Sequence, residues 1–166
     1  LFKFNIMADN LRISMVQSHI IWEDRDENLG YYGELLRRVS GKTDIAVLPE
    51  TFTTGFSMDV EKLADTMDGP TIPTIKRWAK KYKLAVAGSF IAKEGGKYFN
   101  RAFFVTPEGE TYLYDICFGW RAKTSISQPG INGRSYGIRT GISVCKFVMI
   151  FVSRFGAGTW TTNTIC

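Results

Sequence analysis

The chain has 166 residues, 45% of them hydrophobic and 22% charged, with a formal net charge of +5. That length suits one domain able to bury most of a core, and no apolar run approaches the roughly 20 residues of a membrane span. The opening LFKFNIMADN lacks the apolar core and cleavage site of a secretory leader, so a cytoplasmic location is expected, with Met7 a candidate start.

In chain order, Leu11 to Gln17 alternates apolar and polar residues and predicts a strand. Asp24 to Val39 predicts a helix, with acids at its start and Arg37-Arg38 in its last turn, as the macrodipole favours. Ile45 to Leu48 is wholly apolar, the mark of a strand covered on both faces. Gly69-Pro70 and Pro73 introduce a helix over Thr74 to Tyr82, and Leu84 to Phe90 is the next buried strand. Gly95-Gly96 predicts a hairpin turn into Arg101 to Thr106, and Pro107-Glu-Gly-Glu110 a turn into Thr111 to Asp115. The order β-α-β-α-β-β-β is an α/β layer pattern.

Beyond Asp115 the character changes. Residues 1–115 carry 16 acidic and 15 basic residues, whereas residues 116–166 carry 6 basic residues and no acid. Turn residues are scattered through this tail without a period, and only Val144 to Ser153 has strand composition. All three cysteines, Cys117, Cys145 and Cys166, lie here, an odd number without metal-ligand spacing. Six dispersed cations make a weak patch, so no nucleic-acid partner is expected. The cations on the second helix (Lys76, Arg77, Lys80, Lys81, Lys83) read as a solvated face, since no aromatic platform interleaves them.

One acidic position stands out. In AVLPETFTTGFSMD, Glu50 follows the apolar run and Pro49, and Thr51, Thr53, Thr54 and Gly55 come next. Functional groups of open α/β sheets gather at the carboxyl ends of strands. A partly desolvated carboxylate there is a candidate general base; the competing reading is an exposed strand-end acid, or one that ties down loop amides. Trp22, Phe52, Phe56 and Phe99 are candidates for pocket lining or for core, and His19 for a loop or packing role.

LPETFTTGFSMD resembles the first catalytic block of the nitrilase, or carbon–nitrogen hydrolase, superfamily, and more narrowly that of the omega-amidases acting on 2-oxoglutaramate and related 2-oxo acid amides. HIIWED with Asn28, Asp68-Gly-Pro70, VAGSF and KYFNRAFFVTPEGETYLYD agree in the same order, covering about residues 11–115. The resemblance implies an α-β-β-α sandwich, of which residues 7–115 are the N-terminal part, and a Glu-Lys-Cys site with Glu50 as its acid. It implies a small-molecule 2-oxo acid amide as substrate, no metal or organic cofactor, no membrane or nucleic-acid partner, and a homodimer in the intact family.

After Asp115 the resemblance stops. The family pattern continues with a catalytic Lys, where this chain has Ile116, and later with a Cys-Tyr-Asp nucleophile block that is absent. Cys145 in SVCKFV lacks the following Tyr-Asp, and it and Cys117 stand as alternative nucleophiles. When each codon begins on the third base of the preceding one, Met149-Ile150 forces an Asp codon, Trp160-Thr161 forces another, and the free choices permit the nucleophile block; the same shift from Ile116 permits His-Leu-Phe-Arg-Met-Ala-Gly-Glu, which in the family follows the catalytic Lys and an Arg. Residues 116–166 are therefore expected to be an irregular, out-of-frame tail, leaving the chain truncated and defective as an amidase. The other reading is a non-catalytic binding protein with a basic tail.

Overall fold

The computed structural model describes residues 11–117 and 160–165, with 116–117 and 160–165 described through their backbone only. Five consecutive segments give β1 (Leu11–Val16), α1 (Arg25–Val39), β2 (Ile45–Val47), α2 (Val60–Leu63) and α3 (Thr71–Tyr82). They are followed by β3 (Ala85–Glu94), β4 (Lys97–Val105), β5 (Thr111–Cys117) and, far along the chain, β6 (Trp160–Ile165). All form one sheet in the order β5-β4-β3-β2-β1-β6. The β6, β1, β2 and β3 ribbons run parallel, and β3-β4-β5 is an antiparallel meander.

The helices lie on one face because their apolar spacing matches it. On α1, Leu29, Tyr32, Leu36 and Val39 are buried, and on α3 Ile72, Ile75, Trp78 and Ala79. They pack on Val16, Ala46, Leu48, Val86, Phe90, Phe103 and Val105. The alternate positions Ile13, Ile45, Val47, Ala85, Ala87 and Phe104 form a second cluster without helix residues. This is an α/β half-layer of the sandwich expected from the sequence. Among the described residues no helix is long and apolar enough to cross a membrane.

The boundaries follow local chemistry. Asp24 caps α1 by accepting from the Glu27 amide at 3.0 Å. Gly95 and Gly96, at φ of 55° and 73°, make the two-residue turn that joins β3 to β4. α3 starts at Thr71, three residues before the sequence expectation, because Pro73 falls in the first turn, where a missing N–H is no loss. The tail expectation also needs correcting: Trp160–Ile165 is a strand paired to β1 over its whole length, although no period marks it in the sequence. The strand expected over Val144–Ser153 lies outside the described residues.

Asp65 explains the Asp68-Gly-Pro70 stretch. Its buried carboxylate accepts from the Thr66 amide at 2.9 Å and from the Thr71 amide and hydroxyl at 3.0 and 2.6 Å. A Cβ on Gly69 would lie 1.6 Å from Asp65 Oδ1 and 2.5 Å from its Cγ. Gly69→Ala is therefore expected to cost about 1–3 kcal/mol as an overpacking change, measured by denaturant unfolding.

Tyr32 supplies a pH test. Its side chain is fully buried, its hydroxyl donates to the His19 carbonyl at 3.2 Å, and burial, helped by nearby Tyr31, pushes its pKa up to about 12. The folded value lies above the ordinary 10, so this contribution is complete below pH 10 and disappears as pH rises through about 12. Unfolding midpoints between these pH values should fall more steeply for the native chain than for Tyr32→Phe; parallel profiles would exclude the effect.

Candidate active site

The route from β2 into the Pro-Glu-Thr-Phe turn is stapled to β3. The Leu48 amide donates to the Ala87 carbonyl at 2.7 Å, the Thr51 amide to Ser89 Oγ at 2.9 Å, and the Phe52 amide to the Ser89 carbonyl at 3.1 Å. Thr51 sits at φ 46°, a left-handed backbone that a β-branched residue adopts only under constraint. Glu23, at φ 56°, faces the same turn, its amide donating to the Thr54 carbonyl at 2.9 Å. Two constrained backbones thus flank one acid.

Glu50 is half-buried at the carboxyl end of β2. Asn100 Nδ2, from β4, donates to Glu50 Oε1 at 2.6 Å, reaching across the end of β3. Asn100 alternates with Phe99 and Phe103 of the helix-covered core and lies two and four residues before Ala102 and Phe104, which places it on the face opposite the helices. Among the described residues, the acid is therefore neither a free surface group nor a clamp for loop amides. Its side chain is held by a strand amide, that of Asn100.

The threonine hydroxyls do something other than the sequence suggests. Thr51 Oγ1 donates to the Glu50 carbonyl at 2.9 Å and Thr54 Oγ1 to the Gly55 carbonyl at 3.0 Å. Both are buried and serve the turn's backbone, not the carboxylate. Asn28 performs the complementary task from α1. Fully buried, it accepts from the Ile21 amide at 2.8 Å and donates to the Ile21 and Thr53 carbonyls at 2.7 and 2.8 Å. It thereby fastens the loop before α1 to the turn after β2.

The other candidates separate cleanly. Phe52 is core, in edge contact with Tyr32 at 5.4 Å, and Phe99 packs against the same cluster. Trp22 and Phe56 are exposed, and the Trp22 ring lies against Gly55 of the turn. His19 is exposed, with its ring 4.7 Å from that of Tyr31. Lys76, Arg77, Lys80, Lys81 and Lys83 are all exposed, as a solvated face requires. Cys117 ends β5, and Cys145 lies outside the described residues. Among the described residues no group of three His, Cys, Asp or Glu side chains is placed to hold a metal.

Asn100 is the residue that sequence reasoning missed. It sits in the Phe-Asn-Arg stretch, and an amide is unusual inside a strand. A polar side chain at a core position of a strand signals a partner, though not which one.

The carbon–nitrogen hydrolase family matches residues 12–144. An (R)-stereoselective amidase of a Pseudomonas species is 27% identical over 140 residues, covering 81% of this chain and 51% of that protein. Omega-amidase YafV of Yersinia enterocolitica is 30% identical over 105 residues, covering 63% and 40%. The crystal structure of XC1258 from Xanthomonas campestris, a CN-hydrolase superfamily protein with an arsenic adduct in its active site, superposes with a TM-score of 0.62. It is 41% identical and covers 64% of this chain and 40% of that one. The chain thus spans about half the length of the curated relatives it matches, or less.

Proposed function

The chain belongs to the carbon–nitrogen hydrolase family, and from that premise we propose that it carries the acid-bearing part of an omega-amidase-type site. The substrate is the linear amide of a 2-oxo acid, such as 2-oxoglutaramate, and the products are the dicarboxylate and ammonia. The observation that carries this reading is Glu50, half-buried at the end of β2 and held by Asn100. An amide is a weak electrophile, so hydrolysis proceeds through a thiolate that attacks the carbonyl and an ester-like intermediate that water then cleaves. Glu50 takes the thiol proton, delivers it to the departing ammonia, and then activates the water. A lysine ammonium meets the charge that develops on the carbonyl oxygen.

This polypeptide supplies the acid but not the family's lysine, because position 116 is isoleucine and the nucleophile block is missing. We therefore assign the activity to the gene and little of it to the 166-residue chain. Soluble localisation in the cytoplasm and pairing of two copies belong to the same proposal. The purified chain is expected to release no ammonia from 2-oxoglutaramate above the uncatalysed rate. Release that disappears on thiol alkylation would overturn this and assign the nucleophile to Cys117 or Cys145. The coding nucleotides give an independent check: bases that cannot encode His-Leu-Phe-Arg-Met-Ala-Gly-Glu and the cysteine block in the shifted frame end the frameshift account.

A further inference from the structure

The chain leaves β2 by skipping a rung of the ladder. The Leu48 amide still reaches the Ala87 carbonyl of β3 at 2.7 Å, in register with the strand before it. In a continued parallel ladder the Ser89 carbonyl would take the amide two residues on, that of Glu50. It takes that of Phe52 instead, at 3.1 Å, so Glu50 and Thr51 bulge out between consecutive rungs. Bulges of this kind re-aim a side chain. Thr51 bears the distortion, since its φ of 46° lies in the left-handed region that glycine enters freely and a β-branched residue resists.

What holds the bulge is a side chain. The Thr51 amide donates to Ser89 Oγ at 2.9 Å, and Ser89 is 1% exposed, so the bond is shielded from solvent. The carbonyl of the same peptide unit, that of Glu50, accepts from Thr51 Oγ1 at 2.9 Å. A peptide unit is planar, so tying both its ends fixes the plane from which the Glu50 side chain departs. Ser89 alternates with Ala85 and Ala87 of the sheet face opposite the helices, the face that also carries Asn100. The aimed carboxylate meets Asn100 Nδ2 there at 2.6 Å.

We propose that Ser89 is a positioning residue for Glu50: its hydroxyl oxygen fixes the Glu50–Thr51 peptide plane, keeps Thr51 left-handed, and thereby aims the Glu50 carboxylate at Asn100. The purpose of that aim rests on the amidase reading, but the linkage is testable without turnover.

Proton–nitrogen NMR on the full chain follows the aim through the Asn100 side-chain amide, identified as the signal lost in Asn100→Leu. A short bond to a carboxylate draws one of its protons downfield, and Glu50→Gln gives the reference displacement upfield. Ser89→Ala is expected to produce most of that displacement, acting through the Thr51 backbone. Adding Thr51→Gly should reverse it, because glycine holds a left-handed backbone unaided. Adding Thr51→Ala, which loses the same hydroxyl but keeps a Cβ, should not. A serine that only fills space predicts recovery with neither. A signal unmoved by Ser89→Ala overturns the proposal, as does equal recovery, or none, with glycine and alanine. Should Ser89→Ala alone not fold, a folded chain with the downfield signal in the Thr51→Gly combination supports the proposal, and its absence there overturns it. None of these readouts involves ammonia, so failure of the amidase reading and failure of this linkage are separate results.

Discussion

Asp115→Ala is expected to destabilise the chain by about 3–5 kcal/mol, the range for stripping one partner from a buried ion pair. Arg101 is 3% exposed, and its Nε and Nη2 donate to the two Asp115 oxygens at 2.6 and 2.7 Å. The two residues face each other directly in the β4–β5 ladder, and Glu94, at the end of β3, also receives Arg101 Nη2. The guanidinium's acidity is pushed still further from neutrality, first by the Asp115 bond, so arginine cannot escape by losing its proton. Among the described residues, removing Asp115 leaves a buried cation with only the exposed Glu94 as counterion. Removing both charges together, as Arg101→Leu with Asp115→Leu, should cost distinctly less than either single change, because the pair's attraction is set against its own desolvation. Urea unfolding of the four chains measures this. A double variant as damaged as the sum of the singles would mean that the two residues do not act on one another.

That ion pair also shows where the sequence is legible and where it is not. Arg101 and Asp115 occur in strands whose alternation and turn chemistry are plain, so β4 and β5 are readable from Gly95-Gly96 and Pro107-Glu-Gly. Their mutual contact depends on register, which the turn between β4 and β5 sets and which no single strand contains. Asp24, Gly95 and the apolar spacing of α1 are local signals and translate directly into a cap, a turn and a buried face. α2, of four residues with none buried, leaves no periodic trace and was not foreseeable. β6 pairs with a strand about 150 residues earlier, so its conformation is imposed by β1 and not by its own Thr-rich composition. The site divides in the same way. Glu50 is legible because an acid after a buried strand is anomalous in itself. Its partner is not, because Asn100 lies 50 residues away and meets it only after β3 has been laid between them.

Glu50→Gln is expected to lower ammonia release about 10²–10⁴-fold, the usual share of general acid–base catalysis, in a chain that continues after Asp115 with Lys-Arg and then the shifted-frame sequence. The variant separates chemistry from folding. Glutamine keeps an oxygen that can accept from Asn100 Nδ2, so the 2.6 Å bridge has a neutral replacement and the turn after β2 keeps its staples to Ser89. What it loses is the capacity to carry a proton between thiol, leaving group and water. Because such groups act as a set, a variant that also removes the nucleophile should be hardly slower than either single variant, whereas independent contributions would multiply. A Glu50→Gln chain that retains most of the restored rate would remove Glu50 from the chemistry. A chain in the shifted frame that folds but releases no ammonia in either version would remove the reading of the tail instead. The two failures differ in kind, since the first contradicts the role of a half-buried acid at the end of β2, and the second contradicts only what the nucleotides beyond Asp115 encode.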